Sequence, residues 1–418
     1  MALLDFEDRT GTCVNGTPDK REIVTGSVRA GNYVGLRFVL GVPFARNHGE
    51  PVRQAPPLDL TFAWDLPRGF PVPRVPADNP MTAVKLDLGR FLFYDPKLSL
   101  TGRFSCATCH EQSKAFTDGR ARGVGVTGQA HPRGSMSLTN VAYAPVLTWA
   151  NPNLRSLETQ ALIPMFGEDP VELGLAGKER EVVERFRADS VYAARFRAAF
   201  PDDSDPVSIA NVTRAIAAFQ RTLISGRSAY DRYRFSGDER AISEAARRGE
   251  ALFFSERLEC FHCHGGFNFT QTVDYASRAE PEIEFHNTGL YNIAGTGDYP
   301  RPNTGVHAVS GRREDMGRFK APTLRNIAVT APYMHDGSVG SLDEAIDHYQ
   351  AGGRTITSGE QAGVGADNPL KSGFVKSFTL DPSERAALLA FLESLTDPHF
   401  LTNPRLSNPW PAASTSRK

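Results

Sequence analysis

The sequence predicts a mainly α-helical protein in which two related domains follow a short β-rich segment. A Cys-x-x-Cys-His motif occurs twice, at Cys106–His110 and at Cys260–His264, so the two copies lie 154 residues apart (264 − 110). A similar hexapeptide precedes each copy, Gly-Arg-Phe-Leu-Phe-Tyr at Gly89–Tyr94 and Gly-Glu-Ala-Leu-Phe-Phe at Gly249–Phe254. Residues 1–62 instead carry apolar runs bounded by glycine and proline, which favour strands. These features indicate an internal duplication behind an N-terminal piece of different character.

The repeated motif has the spacing of a c-type haem attachment site. Each cysteine adds to one vinyl group of the porphyrin, and the histidine after the second cysteine faces the iron as its proximal ligand. A zinc ribbon would bring its cysteine pairs within about 20 residues, and a dithiol oxidoreductase needs no histidine after both pairs. We therefore predict two covalently bound haem c groups in two cytochrome c-like domains, residues 63–238 and 239–400. The predicted haem-binding residues are Cys106, Cys109, His110, Cys260, Cys263 and His264.

The composition excludes several classes of function. The 418 residues are enough for two or three domains that each bury a core. Lysine and arginine number 47 against 48 aspartates and glutamates, which argues against binding to nucleic acid or to an anionic membrane surface. No apolar run is long enough to span a bilayer. The haem motifs use four of the five cysteines, which leaves Cys13 single and excludes a disulfide framework.

Residues 1–62 are predicted to form a partial β-rich unit. Val24–Val28 and Leu36–Pro43 are the strand candidates, and two strands are too few for independent stability. Met1–Asp5 lacks the basic start and apolar core of a signal peptide, although haem is normally attached outside the cytoplasm. We therefore expect that a signal was removed or that the true start lies upstream, in a fused or truncated gene product.

Helical periodicity marks the chain that follows a proline-rich joint. Leu86–Tyr94 is predicted to be a helix with Gly89 on its packing face, and residues 207–225 and 239–254 have helical apolar spacing. Four glycines keep the region between the first motif and Trp149 mostly in loops.

Two later helices are predicted from their capping residues. Asp381 and Glu384 form a capping box for a helix that ends by Thr396, before an irregular tail at residues 401–418. Ser341 and Glu344 form a similar box for a helix with one buried stripe. The stripe residues are Leu342, Ala345, Ile346 and Tyr349, and Gly352 and Gly353 end the helix. Periodicity alone predicts that Tyr349 is a buried core aromatic.

Further short motifs lie around the two haem motifs. They are Leu88–Arg90, Phe93–Ser99, Ala115–Gly119, Pro322–Asn326 and Thr330–Gly337. These motifs are similar to those of the bacterial di-haem cytochrome c peroxidase and MauG superfamily, and the resemblance runs from about Trp64 to Pro398. Within the superfamily, Leu147–Pro152 and Pro164–Gly174 most resemble the MbnH branch. Peroxidases of the superfamily usually have Trp-Asp-Gly-Arg where this chain has Trp-Ala-Asn-Pro from Trp149.

The N-terminal segment contains four short motifs of its own. They are Leu4–Asp8, Cys13–Pro18, Leu40–Phe44 and Asn47–His48. On these residues the segment resembles part of the MbnP family of partner proteins, up to about Leu60. An unrelated β-rich extension is the alternative, and Cys13 with His48 is a weak candidate metal pair.

The resemblance implies an axial ligand for the second haem. MauG-like enzymes place an iron-ligating tyrosine where electron-storing peroxidases place a methionine, which makes Tyr349 the expected ligand opposite His264. A phenolate oxygen stabilises high-valent iron better than a thioether does. Met334 and Met316 are the competing thioether ligands.

The resemblance also implies the residues that surround peroxide at the first haem. Gln160, Pro164 and Glu172 match the superfamily's distal pocket, where a carboxylate can move a proton from one peroxide oxygen to the other. Glu168 and Asp169 are nearby rivals of Glu172.

Between the haems, Trp149 matches a tryptophan of the superfamily, with simple core burial as the alternative. Asn140, Thr330 and Pro332 match an inter-haem calcium site, the last two through backbone carbonyls. His335 matches a position near the second haem that is not a ligand.

The resemblance therefore implies a periplasmic MauG/MbnH-like enzyme with two haem c groups and one calcium ion. Hydrogen peroxide would drive a high-valent di-haem state that oxidises a tryptophan of an MbnP-like partner protein to kynurenine. One alternative is a cytochrome c peroxidase fed by a small electron-donor protein. Another is a non-catalytic electron-transfer protein with both irons six-coordinate.

Overall fold

The structure, a computed structural model, describes residues 64–410, and this part of the chain is mainly helical as predicted. The strands predicted within residues 1–62, together with Cys13 and His48, lie outside the described residues. None of the helices in residues 64–410 is both long and apolar enough to cross a membrane. The helices are α1 (Ala83–Tyr94), α2 (Cys106–Cys109), α3 (Leu157–Phe166), α4 (Glu179–Arg187), α5 (Ser190–Ala199), α6 (Ile209–Arg221), α7 (Ala229–Ser236), α8 (Glu244–Phe253), α9 (Phe261–His264), α10 (His307–Ser310), α11 (Leu342–Gln350), α12 (Pro382–Ser394) and α13 (Pro398–Thr402).

Extended structure is sparse in the described residues. Strand β1 (Thr355–Ile356) pairs antiparallel with β2 (Gly363–Val364), with Thr355 opposite Val364. Single turns of 3-10 helix occur in the connecting loops. They are Pro96–Leu98, Gln112–Lys114, Val141–Tyr143, Arg313–Asp315, Ile327–Val329 and Gly365–Asp367.

The two similar hexapeptides form equivalent helix crossings. A Cβ on Gly89 of α1 would lie 1.8 Å from the carbonyl oxygen of Ala215 on α6. A Cβ on Gly249 of α8 would lie 2.0 Å from the carbonyl oxygen of Ala387 on α12. Only glycine allows the two backbones to approach this closely. The repeat seen in the sequence therefore corresponds to two helix pairs, α1 with α6 and α8 with α12, each placed next to one Cys-x-x-Cys-His turn.

Two hydrophobic clusters form around these helix pairs. The cluster around α1 and α6 contains Phe93, Phe186 and Phe219, and the cluster around α8 and α12 contains Phe253 and Phe391. Aromatic rings in both clusters meet edge to face, Phe93 with Phe219 in the first and Phe253 with Phe269 in the second, which adds to the free energy gained by removing apolar area from water.

The C-terminal residues pack on the first cluster. The sequence predicts an irregular tail from residue 401, whereas α13 continues through Leu401 and the side chain of Phe400 is buried in the first cluster. The Tyr94 hydroxyl donates to the carbonyl of Leu406 at 2.7 Å, and the Trp410 ring lies 4.9 Å from the Phe91 ring. Sequence periodicity misses this contact because the partners lie some 300 positions apart along the chain.

Of the two predicted capping boxes, the one at α12 is formed completely and the one at α11 only in part. Asp381 caps α12 as predicted, with its carboxylate accepting from Glu384 N–H and Glu384 reaching back to Asp381 N–H. At α11 the Ser341 hydroxyl accepts from Glu344 N–H at 3.1 Å, but the Glu344 carboxylate accepts from Gly340 N–H instead. Only half of the second predicted box is therefore formed.

Candidate active site

Two cavities of similar size contain the two Cys-x-x-Cys-His motifs. The first cavity, of about 250 Å³, is lined by Cys106, Cys109 and His110. The second cavity, of about 300 Å³, is lined by Cys260, Cys263 and His264. A zinc site shared by the four thiols is excluded by this separation into different cavities.

Both motif histidines are oriented by backbone carbonyls. The Nδ1 atom of His110 lies 2.8 Å from the carbonyl oxygen of Phe116, and that of His264 lies 3.2 Å from the carbonyl oxygen of Phe269. Phe116 and Phe269 both have positive φ, 61° and 49°, which turns each carbonyl toward its histidine. A carbonyl only accepts hydrogen bonds, so Nδ1 carries the proton and the Nε2 lone pair stays free for a metal.

The protonation state of the motif histidines suits iron ligation. Burial lowers the pKa of His110, and lowers that of His264 to about 4, so both imidazoles are neutral at pH 7. Burial raises the pKa of Cys106 to about 12 and that of Cys109 to about 11. The four cysteines of the described residues are free thiols rather than disulfides. Two thiols and one free imidazole nitrogen per cavity fit one covalent haem each.

The wall of the first cavity is built by α3 and the loop that follows it. Gln160 and Pro164 stand one helical turn apart on α3, and both line the cavity. The loop folds back because Leu173 N–H donates to the Pro164 carbonyl at 2.8 Å, and Val126 N–H donates to the Glu172 carbonyl at 2.8 Å. These bonds fix the backbone of Glu172 beside the motif.

Glu172 differs from its two neighbouring carboxylates. It lines the first cavity and is partly buried, whereas Glu168 and Asp169 are exposed and do not line it. Burial raises the pKa of Glu172 from 4.5 to about 7. A carboxyl group that titrates near pH 7 can both accept and donate a proton under neutral conditions.

The buried stripe of α11 lines the second cavity. All four predicted residues, from Leu342 to Tyr349, contribute to its wall. Within residues 64–410 the Tyr349 hydroxyl has no hydrogen-bond partner, and burial followed by the Cys263 and Cys260 thiols raises its pKa. His348 is buried on another face of the helix and does not line the cavity, as predicted.

Of the two methionines that compete with Tyr349 as iron ligand, only one lines the second cavity. Met334 lines the second cavity and adopts a left-handed backbone with φ 66°. Met316 is buried in a neighbouring hydrophobic cluster and does not line that cavity. Met334 therefore remains the thioether alternative to Tyr349.

Trp149 lines both cavities. Its indole Nε1–H donates to the carbonyl of Gly134 at 3.0 Å, and its own carbonyl accepts from Lys320 N–H at 2.8 Å. Hydrogen bonds on two sides therefore hold the ring between the two sites.

The three predicted calcium ligands all line the second cavity. The Asn140 amide donates to Asn268 Oδ1 and accepts from Ser225 N–H at 2.7 Å, so its side chain is already engaged. Among the described residues no N–H donates to the carbonyls of Thr330 and Pro332. Two free carbonyl oxygens are compatible with a hard cation, and the calcium site stays a prediction.

Several polar residues of the cavity walls have no ligand or catalytic role in the sequence analysis. Lys320 is buried in the second cavity, where its ammonium group donates to the Val146 carbonyl at 2.8 Å and burial lowers its pKa to about 8. Gln220 Oε1 in the first cavity and His335 Nε2 in the second are buried without a protein partner. Arg133 lines the first cavity and is held by Asn303 at 3.0 Å.

Comparison with known sequences identifies the family. The chain is 36% identical over 343 residues to the methylamine utilization protein MauG of Methylorubrum extorquens, covering 81% of this chain and 85% of that protein. It is 35% identical over 363 residues to the cytochrome-c peroxidase IdrP1 of Denitromonas iodatirespirans, covering 82% and 90%. The chain belongs to the di-haem cytochrome c peroxidase and MauG family. The family model for di-haem cytochrome c peroxidase matches residues 83–240.

Known structures agree with this assignment. A MauG-like protein associated with microbial copper homeostasis is 50% identical, with a TM-score of 0.82 over 84% of this chain and 100% of that one. The diheme peroxidase BthA from Burkholderia thailandensis is 19% identical with a TM-score of 0.59 over 80% and 97%, which supports the fold alone. As a member of the di-haem family, the chain is a peroxide-using oxidoreductase with two c-type haems.

The N-terminal part matches a second family. The MbnP model matches residues 1–114, which extends beyond the boundary near residue 62 expected from the sequence and overlaps the di-haem match. The overlap includes α1 and the first motif, which belong to the helical part of the chain.

Proposed function

We propose that this member of the MauG family uses hydrogen peroxide to oxidise an aromatic side chain of a partner protein at a distance. The observation that carries the proposal is the placement of Trp149 in the walls of both cavities, with Tyr349 in the wall of the second. Two bound haems would supply the irons at which peroxide is reduced and two oxidising equivalents are held. The chain's own residues divide between proton transfer at the first site and stabilisation of the oxidised state at the second.

At the first site, Glu172 acts as the proton-transfer group. Its carboxylate takes a proton from one oxygen of hydrogen peroxide and donates it to the other. The second oxygen can then leave as water, with the two electrons that a bound haem would supply. Gln160 and Pro164 shape the space in which peroxide sits, since both side chains face the same cavity from one side of α3. His110 would hold the iron of the first haem through Nε2, because its Nδ1–H is bound to the Phe116 carbonyl.

At the second site, His264 and Tyr349 would hold the haem iron, since both line the second cavity. The Tyr349 hydroxyl makes no hydrogen bond with the described residues, so its oxygen is available to bind the metal. Trp149 provides an indole ring between the two sites through which charge is shared. Asn140, Thr330 and Pro332 would hold one calcium ion beside the second site.

The proposed substrate is a tryptophan of an MbnP-like protein in the periplasm. Two molecules of hydrogen peroxide oxidise it by four electrons in all, and the products are kynurenine, one formic acid, which carries away the lost carbon, and one water. The match of the N-terminal residues to the MbnP family supports this partner. So does the 50% identity to a MauG-like protein that is associated with copper homeostasis.

The test is a reaction of the di-haem protein with peroxide and an MbnP-type protein, followed by mass spectrometry of partner peptides. We expect kynurenine at one tryptophan, and we expect Tyr349→Phe to abolish it while both haems stay attached. Partner tryptophan that remains unmodified, although peroxide is consumed, would contradict the proposal.

The alternative is a peroxidase that takes electrons from a small donor protein. Relatives named cytochrome-c peroxidase, such as IdrP1 at 35% identity, favour it, and Met334 in the second cavity offers a thioether ligand. Catalytic turnover of peroxide with a reduced small cytochrome, unchanged in Tyr349→Phe and lost in Met334→Leu, would establish the peroxidase instead.

A further inference from the structure

A pair of tyrosine rings leads away from the second cavity. Tyr299 lines the cavity and is buried, and its ring centroid lies 5.4 Å from that of Tyr291, edge to face. The Tyr299 hydroxyl donates to Asn287 Oδ1 at 2.7 Å and accepts from Leu290 N–H at 3.0 Å. An amide oxygen is a poor proton acceptor, so Tyr299 can pass an electron but has no place to send its proton.

Tyr291, in contrast, has a proton acceptor beside its hydroxyl. The Tyr291 hydroxyl donates to Asp336 Oδ2 at 2.6 Å, and both side chains are buried. The other carboxylate oxygen of Asp336 accepts from Ser338 N–H at 3.0 Å, which fixes the carboxylate in position. A phenol and a carboxylate at this distance form a short, charge-assisted hydrogen bond along which a proton can move.

A cation limits the way in which Tyr291 can be oxidised. The Arg354 guanidinium lies 4.4 Å from the centroid of the Tyr291 ring, where it is attracted to the electron-rich face. Loss of an electron alone would create a ring cation beside this arginine, and the low dielectric of the interior strengthens the repulsion. Loss of an electron together with the proton avoids that charge.

We infer that Tyr291 is a redox relay that carries oxidising equivalents from the second haem toward the protein surface. The inference rests on the proposed function, in which peroxide oxidises both haems. One electron leaves Tyr291 and passes through Tyr299 to the second haem, while the phenol O–H bond breaks and an O–H bond forms on Asp336. The products are a neutral tyrosyl radical and a protonated carboxyl group. An electron from an aromatic side chain of the partner, with the proton returned by Asp336, restores Tyr291.

The surroundings of Tyr291 place the relay close to solvent. Arg354 is partly exposed and donates to the hydroxyl of Ser338, which is exposed, at 2.7 Å. The relay therefore ends beside a face that a protein substrate can reach, whereas Tyr349 lies within the cavity wall. The chemical class of substrate is an indole or phenol ring that is oxidised one electron at a time.

The chain offers a matched control for the relay. The Tyr192 hydroxyl donates to Asp95 Oδ2 at 2.6 Å, and both residues are buried. Tyr192 packs in the first hydrophobic cluster and lines neither of the two cavities. Tyr192 therefore has the same kind of tyrosine–aspartate hydrogen bond as Tyr291, but no path to the second haem.

The experiment is freeze-quench electron paramagnetic resonance on the di-haem protein after addition of peroxide alone. We expect a neutral tyrosyl signal, identified by its narrowing in protein made with ring-deuterated tyrosine, that is kept in Tyr192→Phe. Tyr291→Phe should lose it, and Asp336→Asn should reduce it strongly because an amide cannot take the proton. The haem absorption should still respond to peroxide in every variant, since neither Tyr291 nor Asp336 lines the first cavity.

The outcomes separate the relay from the function on which it rests. A haem response with no tyrosyl signal in the unmodified protein, or a signal that survives Tyr291→Phe, overturns the relay and leaves the proposed function standing. Loss of the signal in Tyr192→Phe overturns the relay as well, because that ring has no path to the second haem. If peroxide leaves the haem absorption unchanged, the proposed function and the relay both fail.

Discussion

Replacement of Glu172 by glutamine should make the protein more stable at alkaline pH while it disables the reaction with peroxide. Burial raises the pKa of Glu172 from 4.5 to about 7. In the unfolded chain the carboxyl ionises near its ordinary pKa, whereas the folded protein keeps the proton until about pH 7. The unfolded state is therefore favoured progressively as pH rises between these values, by about 3 kcal/mol once pH exceeds 7. Glutamine resembles the protonated carboxyl and does not ionise, so Glu172→Gln removes this destabilisation.

The measurement is thermal unfolding of the di-haem protein at about pH 5 and about pH 8, with stopped-flow absorption after peroxide addition. The variant should exceed the unmodified protein by less than about 1 kcal/mol at the lower pH and by up to about 3 kcal/mol at the higher. In the unmodified protein the peroxide reaction should accelerate as pH rises through about 7, because the ionised carboxylate is the base. The variant should be slower by about 10²–10⁴-fold, a typical loss for a general acid–base group.

Glu168→Gln is the matched control, because Glu168 is exposed and lies outside the cavity wall. Glu168→Gln should change neither the stability at alkaline pH nor the rate of the peroxide reaction. If Glu172→Gln lowered stability at alkaline pH, Glu172 would have to be ionised and stabilised by a partner in the folded state. If the peroxide reaction kept its rate and pH profile, Glu172 would not be the proton-transfer group.

Three further predictions concern the haems and the helix crossings. Cys263→Ser in protein matured in a periplasm should remove one of the two haem attachments and spare the other, measured by mass spectrometry, and zinc without haem would refute the assignment. Tyr349→Phe should keep both haems but lose the long-lived oxidised state after peroxide; an unchanged spectrum of the second haem would make Tyr349 a core residue. Gly249→Ala should lower stability by about 1–3 kcal/mol or more, since its Cβ would lie 2.0 Å from the Ala387 carbonyl oxygen. Gly373→Ala, with no atom within 4 Å of the added carbon, should leave the unfolding temperature almost unchanged.

The sequence predicts the local parts of the site well. The motif spacing, the stripe that ends at Tyr349 and the glycine repeat all depend on residues within a few turns of one another. The stripe residues line the second cavity, and both repeat glycines lie at helix crossings. The choice of Glu172 over Glu168 and Asp169 came from the family resemblance, since nothing in their local spacing separates the three carboxylates.

The remaining parts depend on contacts between distant segments. Lys320 enters the second cavity because its ammonium group reaches the Val146 carbonyl, 174 residues away in the chain. Arg133 is held by Asn303, 170 residues away. Neither pairing leaves a periodic signal, because single polar residues in loops have no repeat against which to be recognised. Tyr291 and Asp336 are similarly separated by 45 positions.

Buried polar groups in this protein differ in whether they have hydrogen-bond partners within the protein. Arg325 is fully buried, yet both of its carboxylate contacts to Asp231 are 2.9 Å and Phe267 accepts from its Nε–H, so its charge is satisfied within the protein. Gln220 Oε1 and His335 Nε2 are buried without a protein partner, and each lines one of the two haem cavities. A buried polar atom without a hydrogen bond destabilises the fold by about 1–3 kcal/mol. At Gln220 and His335 a group bound in the cavity would supply the missing contact, whereas the charge of Arg325 is satisfied within the protein. Both ring nitrogens of His348 and Nε1 of Trp410 are also buried without a protein partner, yet these residues line neither cavity. An unsatisfied polar atom therefore indicates a haem site only where it also lines a cavity.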